Sequence, residues 1–253
     1  MPAALLNCKC IIFDLDGTIY FGTQLANQAN EVIARARSVC SHVFFITNNS
    51  AKTRQQIFDK LVNMEIDVKL EEVITSSYVI AKYLQENQYR EVYCIGTTDL
   101  KDEIRHLGIN PIATSPQAIV VGYDPNFKLS DLNQMANMNL QNYKLIVANK
   151  DRSYPINDGY VVPGAGPIVS AVKTLLNKQE DVVIGKPNPA MLDIMLKDLH
   201  ISPQNIYVVG DNYNSDIKMA QAYGANGVLI TASPKTDCPC IRKLSELLGI
   251  LHD

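Results

Sequence analysis

Short apolar runs alternate with helically spaced apolar positions along almost the whole chain. The first run, Cys10-Ile11-Ile12-Phe13, is strand-like. After it Ala29, Val32, Ile33, Ala36, Val39 and Cys40 recur at the spacing of one helix face. Residues 42–46 predict a second buried strand. A helix is expected over about 51–63, capped by Ser50 or Asn49, with Ile57, Phe58, Leu61 and Met64 inward. Another is expected over about 76–86. Such alternation is the mark of α/β architecture with parallel strands.

A second self-contained series runs from about 88 to 181. It reads as strands at 92–96, 118–123 and 144–149, with helices over about 99–107 and 130–140 between them. Residues 88–180 are therefore expected to form a smaller α/β unit, inserted into a larger domain made of 1–87 and 181–253. Pro163-Gly164-Ala165-Gly166-Pro167 reads as a turn opening a helix over 167–176 that leads back to the larger domain. Strands at 181–185, 206–210 and 227–230, each followed by a helical pattern, would complete that domain. No internal repeat or low-complexity tract interrupts the pattern.

Composition narrows the partners. With 253 residues, 47% apolar and 19% charged, the chain has core enough for one large domain or two modest ones, and disorder is excluded. Net charge is −3 and the pI about 5.8, and no Lys/Arg run marks nucleic acid or an anionic membrane as a partner. No apolar stretch approaches the ~18–20 residues that span a bilayer. Residues 1–7 lack the charged and apolar segments of a signal peptide, so a soluble, cytoplasmic protein is expected. The six cysteines (Cys8, Cys10, Cys40, Cys94, Cys238, Cys240) include no Cys-x-x-Cys, and His42, His106, His200 and His252 are scattered. Reduced thiols are the default, with Cys238-Pro239-Cys240 the likeliest pair to depart from it.

Chemistry enters where the apolar runs end. The first closes on Asp14-Leu15-Asp16-Gly17-Thr18. Residues two apart in a strand share a side, so Asp14 and Asp16 would face one cavity, where two carboxylates repel unless a cation or a shared proton lies between them. Ligands of open parallel sheets bind at the carboxyl ends of strands. Three more such junctions carry Thr47-Asn48, Gly185-Lys186-Pro187 and Gly210-Asp211-Asn212, with Asp216 five residues beyond Asp211. One reaction fits them all. Asp14 is suited to attack phosphorus and form an aspartyl-phosphate, with Asp16 as general acid and base. Asp14, the Asp16 carbonyl and Asp211 would hold magnesium. Thr47, Asn48 and Lys186 would bind the phosphate oxygens, and Asp216 would orient Lys186 or a metal-bound water, with Asn212 beside it.

Singly, each has a plainer account. Asp-x-Asp is common, Gly-Lys-Pro makes an ordinary turn, and Thr47 and Asp211 could be caps. In order and all at strand ends, they point to magnesium-assisted phosphoryl transfer. Gly164-Ala165-Gly166 lacks the remaining elements of a nucleotide loop, and no Gly-x-Ser-x-Gly or His-Glu-x-x-His occurs.

The ordered set Asp14-Leu15-Asp16-Gly17-Thr18, Thr47-Asn48-Asn49-Ser50, Gly185-Lys186-Pro187 and Gly210-Asp211-x4-Asp216 resembles the haloacid dehalogenase superfamily. It is closest to the NagD-like branch, which includes 4-nitrophenylphosphatases and phosphoglycolate or pyridoxal phosphate phosphatases. Val121-Gly122-Tyr123-Asp124, Pro163-Gly164-Ala165-Gly166 and Gly185-Lys186-Pro187-Asn188-Pro189 carry that likeness. The resemblance implies a Rossmann-like parallel-sheet core with an inserted α/β cap, magnesium dependence and hydrolysis of a small phosphate monoester. It also implies a substrate-selecting loop at 148–152, with Asn149 and Asp151 as its candidate residues, and allows a homodimer through the cap. Ala148 stands where the branch often has threonine. Lys150 and Arg152 would suit a substrate with a second anionic group, or be solvated surface charges. A phosphotransferase or mutase, and a non-catalytic phosphometabolite sensor, are the competing readings.

Overall fold

Residues 7–155, 160–233 and 237–251 are described by the computed structural model. The segment read for a signal peptide, apart from Asn7, and His252 lie outside the described residues. The chain forms two units: Met1–Thr47 with Ile57–Ile74 and Lys186–Asp253, and Asn48–Gln56 with Thr75–Gly185.

The first unit is organised by the strand Cys10–Asp14, every residue of which is buried. A strand buried on both faces reads as an unbroken apolar run, which is why no alternation marks it. Its sheet has the order Cys240–Ile241, Asn226–Ile230, Ile206–Gly210, Cys10–Asp14, His42–Thr47, Val73–Thr75. Pairing is parallel from the first of these through His42–Thr47. Phe13 lies level with Phe45 on one side and Val209 on the other, so the carboxyl ends of the three central strands are in register. Ile11, Phe13, Val43, Phe45, Val209 and Val228 share a core with Val32, Ile33 and Ala36 of the helix Ala29–Val39. Chain order reverses between Cys10–Asp14 and Ile206–Gly210. That reversal is the topological switch point, where parallel sheets open a crevice for a ligand.

The second unit carries its own parallel sheet, Val182–Val183, Lys144–Val147, Ala118–Val121, Val92–Ile95. Ile119, Val121, Leu145 and Val147 pack with Ile168, Val169 and Val172 of the helix Ala165–Leu176. Helix Ser76–Glu86, placed with the larger domain in the sequence reading, falls in this unit.

Three elements depart from expectation. The strand before Lys186 is only Val182–Val183, and it pairs with Ile146 and Val147 of the smaller sheet instead of joining the larger one. Asp181 secures it there by accepting from the Leu145 amide at 2.7 Å. The helix after Thr47 begins at Arg54, not Ala51, because Asn49 Oδ1 takes the amides of Ala51 and Lys52. Thr53 and Gln56 then exchange side chain to backbone bonds as a capping box. The helix expected over 130–140 shrinks to Leu132–Ala136, of which Leu132 and Met135 are buried. Asn133, Asn137 and Asn139 around it are weak helix formers. Cys8, Cys10, Cys40 and Cys94 are free, buried thiols. No helix among the described residues is long and apolar enough to cross a membrane.

Candidate active site

Asp14 is the last residue of its strand, Asp211 follows Ile206–Gly210, and Thr47 ends His42–Thr47. These are the carboxyl ends at and beside the switch point. Two glycines let the acids meet. Gly17 has φ +92°, and a methyl group there would overlap the Asp211 carboxylate. A methyl group on Gly210 would overlap Asp216. The wide π-turn Tyr213–Ile217, which Asn212 caps by accepting from the Asn214 amide, carries Asp216 back toward the strand end. The Asn212 amide donates to Asp216 Oδ2 at 3.0 Å.

Oxygens of Asp14, Asp211 and Asp216 lie within 4.8 Å of one another. Lys186, 4% exposed, reaches into this group, donating to Asp14 Oδ1 and to Asp216 Oδ1, the latter at 2.7 Å. Asp14 Oδ2 faces the Thr18 hydroxyl at 3.4 Å. Burial pushes the Asp14 carboxyl up to about 8 against the pull of Lys186, and Asp216 and Asp211 add to the rise. Burial raises Asp211 too, with Asp216 reinforcing it. Burial alone would lower Lys186, but Asp14 and Asp216 outweigh it and hold the ammonium above its ordinary value. Three carboxylates against one ammonium leave an excess of negative charge, and all the donors are hard oxygens. That donor set fits a divalent cation of the magnesium or calcium type.

The Asp16 carboxylate is not one of these three gathered acids. Past Gly17 the chain doubles back, with the amides of Thr18, Ile19 and Tyr20 all on the Leu15 carbonyl and the Gly17 amide on the Tyr20 carbonyl. The turn brings the Tyr20 hydroxyl to Asp16 Oδ2 at 3.1 Å. Lys60 Nζ sits 3.6 Å from the centroid of the same ring. Neither contact was legible in the sequence, since a tyrosine in an apolar run reads as core and a lysine on a helix as solvated.

Asn48, Asn149 and Asp151 are brought together in the second unit. The Asn48 side-chain amide donates to Asp151 Oδ2 at 3.0 Å, and the Asn48 backbone carbonyl accepts from the Asn149 side-chain amide at 2.9 Å. Asn149 Oδ1 accepts from the Asp151 backbone. The buried Asn149 thus ties the loop at 148–152 to the segment after Thr47. Lys150 pairs with Glu180 at 2.8 Å, and Lys173 pairs with the same carboxylate at 2.6 Å.

Comparison with known proteins agrees with this geometry. A family model for haloacid dehalogenase-like hydrolases matches residues 11–110, and a second, described as haloacid dehalogenase hydrolase-like, matches 183–237. An acid sugar phosphatase of Staphylococcus haemolyticus is 31% identical over 232 residues, covering 91% of this chain and 88% of that protein. A sugar-phosphatase of Bacillus subtilis, AraL, is 29% identical over 229 residues, covering 89% of this chain and 84% of that one. The crystal structure of a 4-nitrophenylphosphatase from Thermotoga maritima superposes with a TM-score of 0.88 at 25% identity, over 98% of this chain and 99% of that one. The chain belongs to the haloacid dehalogenase-like hydrolases, in their NagD-like, 4-nitrophenylphosphatase-type branch, and is a phosphoric monoester hydrolase.

Proposed function

We propose that this enzyme hydrolyses small phosphate monoesters, sugar phosphates foremost, through an aspartyl-phosphate on Asp14, with magnesium as its cation. The arrangement of Asp14, Lys186, Asp211 and Asp216 at the switch point supports this most directly. The sugar phosphates are suggested by the relatives named as sugar phosphatases.

A carboxylate oxygen of Asp14 attacks phosphorus as the ester P–O bond breaks, and Asp16 gives its proton to the departing alkoxide. Asp16 then takes a proton from a water that attacks the same phosphorus, which frees inorganic phosphate and restores Asp14. Lys186 and the Thr47 hydroxyl bear on the phosphoryl oxygens, and Asp216 holds the ammonium in place. Asp14, Asp211 and the Asp16 carbonyl would hold magnesium, whose charge lets a carboxylate approach a phosphate dianion. The loop at 148–152 is assigned substrate selection.

Replacing Asp14 tests this reading. Asp14→Asn should abolish phosphate release from a panel of monoesters, and acid-quenched wild-type enzyme should carry labelled phosphate that the variant lacks. A variant that turns over normally, or a labelled Asp14→Asn protein, overturns the assignment.

A further inference from the structure

Asp16 is exposed, unlike the neighbouring Asp14. An exposed aspartate samples several rotamers unless something fixes it, and a proton carrier must be fixed to meet both a leaving oxygen and a water. Among the described residues the hydrogen-bond donor to its carboxylate is Tyr20, at 3.1 Å, a residue only 1% exposed. The backbone turn at Gly17 and the short pairing of Tyr20–Phe21 with Gln24–Leu25 fix the tyrosine's main chain. Lys60, on the helix Arg54–Asn63, places an ammonium over its face. A cation on the ring draws electron density from the phenol and strengthens its hydroxyl as a donor.

We propose that Tyr20 is a positioning residue for Asp16, with Lys60 clamping the ring that does the positioning. The proposal rests on the reading of Asp16 as general acid and base given above. A merely structural tyrosine would plug the core and find in Asp16 a partner for its hydroxyl. The two roles differ in what removing the hydroxyl does to chemistry. Loss of a well-placed acid slows esters whose leaving alkoxide needs a proton, and largely spares 4-nitrophenyl phosphate, whose phenolate departs unaided.

The test compares an alkyl phosphate with 4-nitrophenyl phosphate at saturating magnesium, for wild type, Tyr20→Phe, Lys60→Met, Asp16→Asn and the Tyr20→Phe/Asp16→Asn double variant. Tyr20→Phe should lower kcat on the alkyl ester about tenfold and on the nitrophenyl ester by less than about threefold, with KM little changed. Lys60→Met should show the same bias at smaller size, and carries the comparison alone if Tyr20→Phe does not fold. In the Asp16→Asn background Tyr20→Phe should add nothing. Equal losses on both esters, or an undiminished loss in that background, overturn the positioning role. If Asp16→Asn itself treats the two esters alike, the acid–base reading falls, and the proposal with it. A strong leaving-group bias in Asp16→Asn that is absent from Tyr20→Phe overturns the proposal alone.

Discussion

A missing methyl group at Gly210 lets Asp216 come close enough to the strand end to receive Lys186. Gly210→Ala must push Asp216 aside, which leaves the ammonium with Asp14 as its one remaining carboxylate of the pair. Lys186 then sits differently against the phosphoryl oxygens, and kcat should fall about tenfold or more while the protein stays folded. Steady-state kinetics beside a thermal melt checks this, and a wild-type kcat would show that Asp216 does not need its present place. That Asp14, Lys186, Asp211 and Asp216 come together could be anticipated because Asp14, Lys186 and Asp211 stand at or just past the ends of apolar runs, with Asp216 five residues beyond Asp211. The Asp16–Tyr20 contact could not, because it depends on a positive φ at Gly17 folding the chain back within four residues.

At the scale of elements, the helix Ala29–Val39 is tied to the edge strand Val73–Thr75 through one ion pair. Arg37, in the helix's last turn, donates twice to Glu72, at 2.7 and 2.6 Å, just before that strand begins. Glu72 also accepts from the Lys69 amide. Burial would raise the Glu72 carboxyl, but the Arg37 and Lys69 hydrogen bonds prevail and hold it below its ordinary 4.5. A depressed carboxylate lends its stability in full above the ordinary value and loses it as pH falls below. Arg37→Ala should therefore cost about 2 kcal/mol near neutral pH, discounted for the partial exposure of the arginine. It should also flatten the loss of stability below pH 4.5. Urea unfolding of both proteins at neutral and acid pH measures this, and parallel stability curves would refute it. The long strands were legible because runs of four apolar, largely buried residues such as 10–13 and 43–46 leave little else to be. Val182–Val183 was misread because two residues cannot show which sheet they pair with; that depends on Leu145, Ile146 and Val147, far back in the sequence.

For the molecule as a whole, each unit has its own sheet and its own core, while every ligand proposed for the cation belongs to the first unit. The two units should then respond differently to magnesium. A ligand that binds only the native form stabilises it by about 2.7 kcal/mol at one hundred times its Kd. Only openings that break the site report that gain, because an opening confined to the second unit leaves the carboxylates together. Hydrogen exchange with and without magnesium should slow at the amides of residues 14–20 and 210–217, and stay unchanged across 92–95, 118–121 and 144–147. Asp211→Asn should remove the difference. Magnesium that protects both sheets equally, or neither of the site segments, would mean that Asp14, Asp211 and Asp216 gather for some purpose other than a cation. Their mutual repulsion would then be offset, among the described residues, chiefly by Lys186, a costly arrangement to keep where Asp14 and Asp216 are buried.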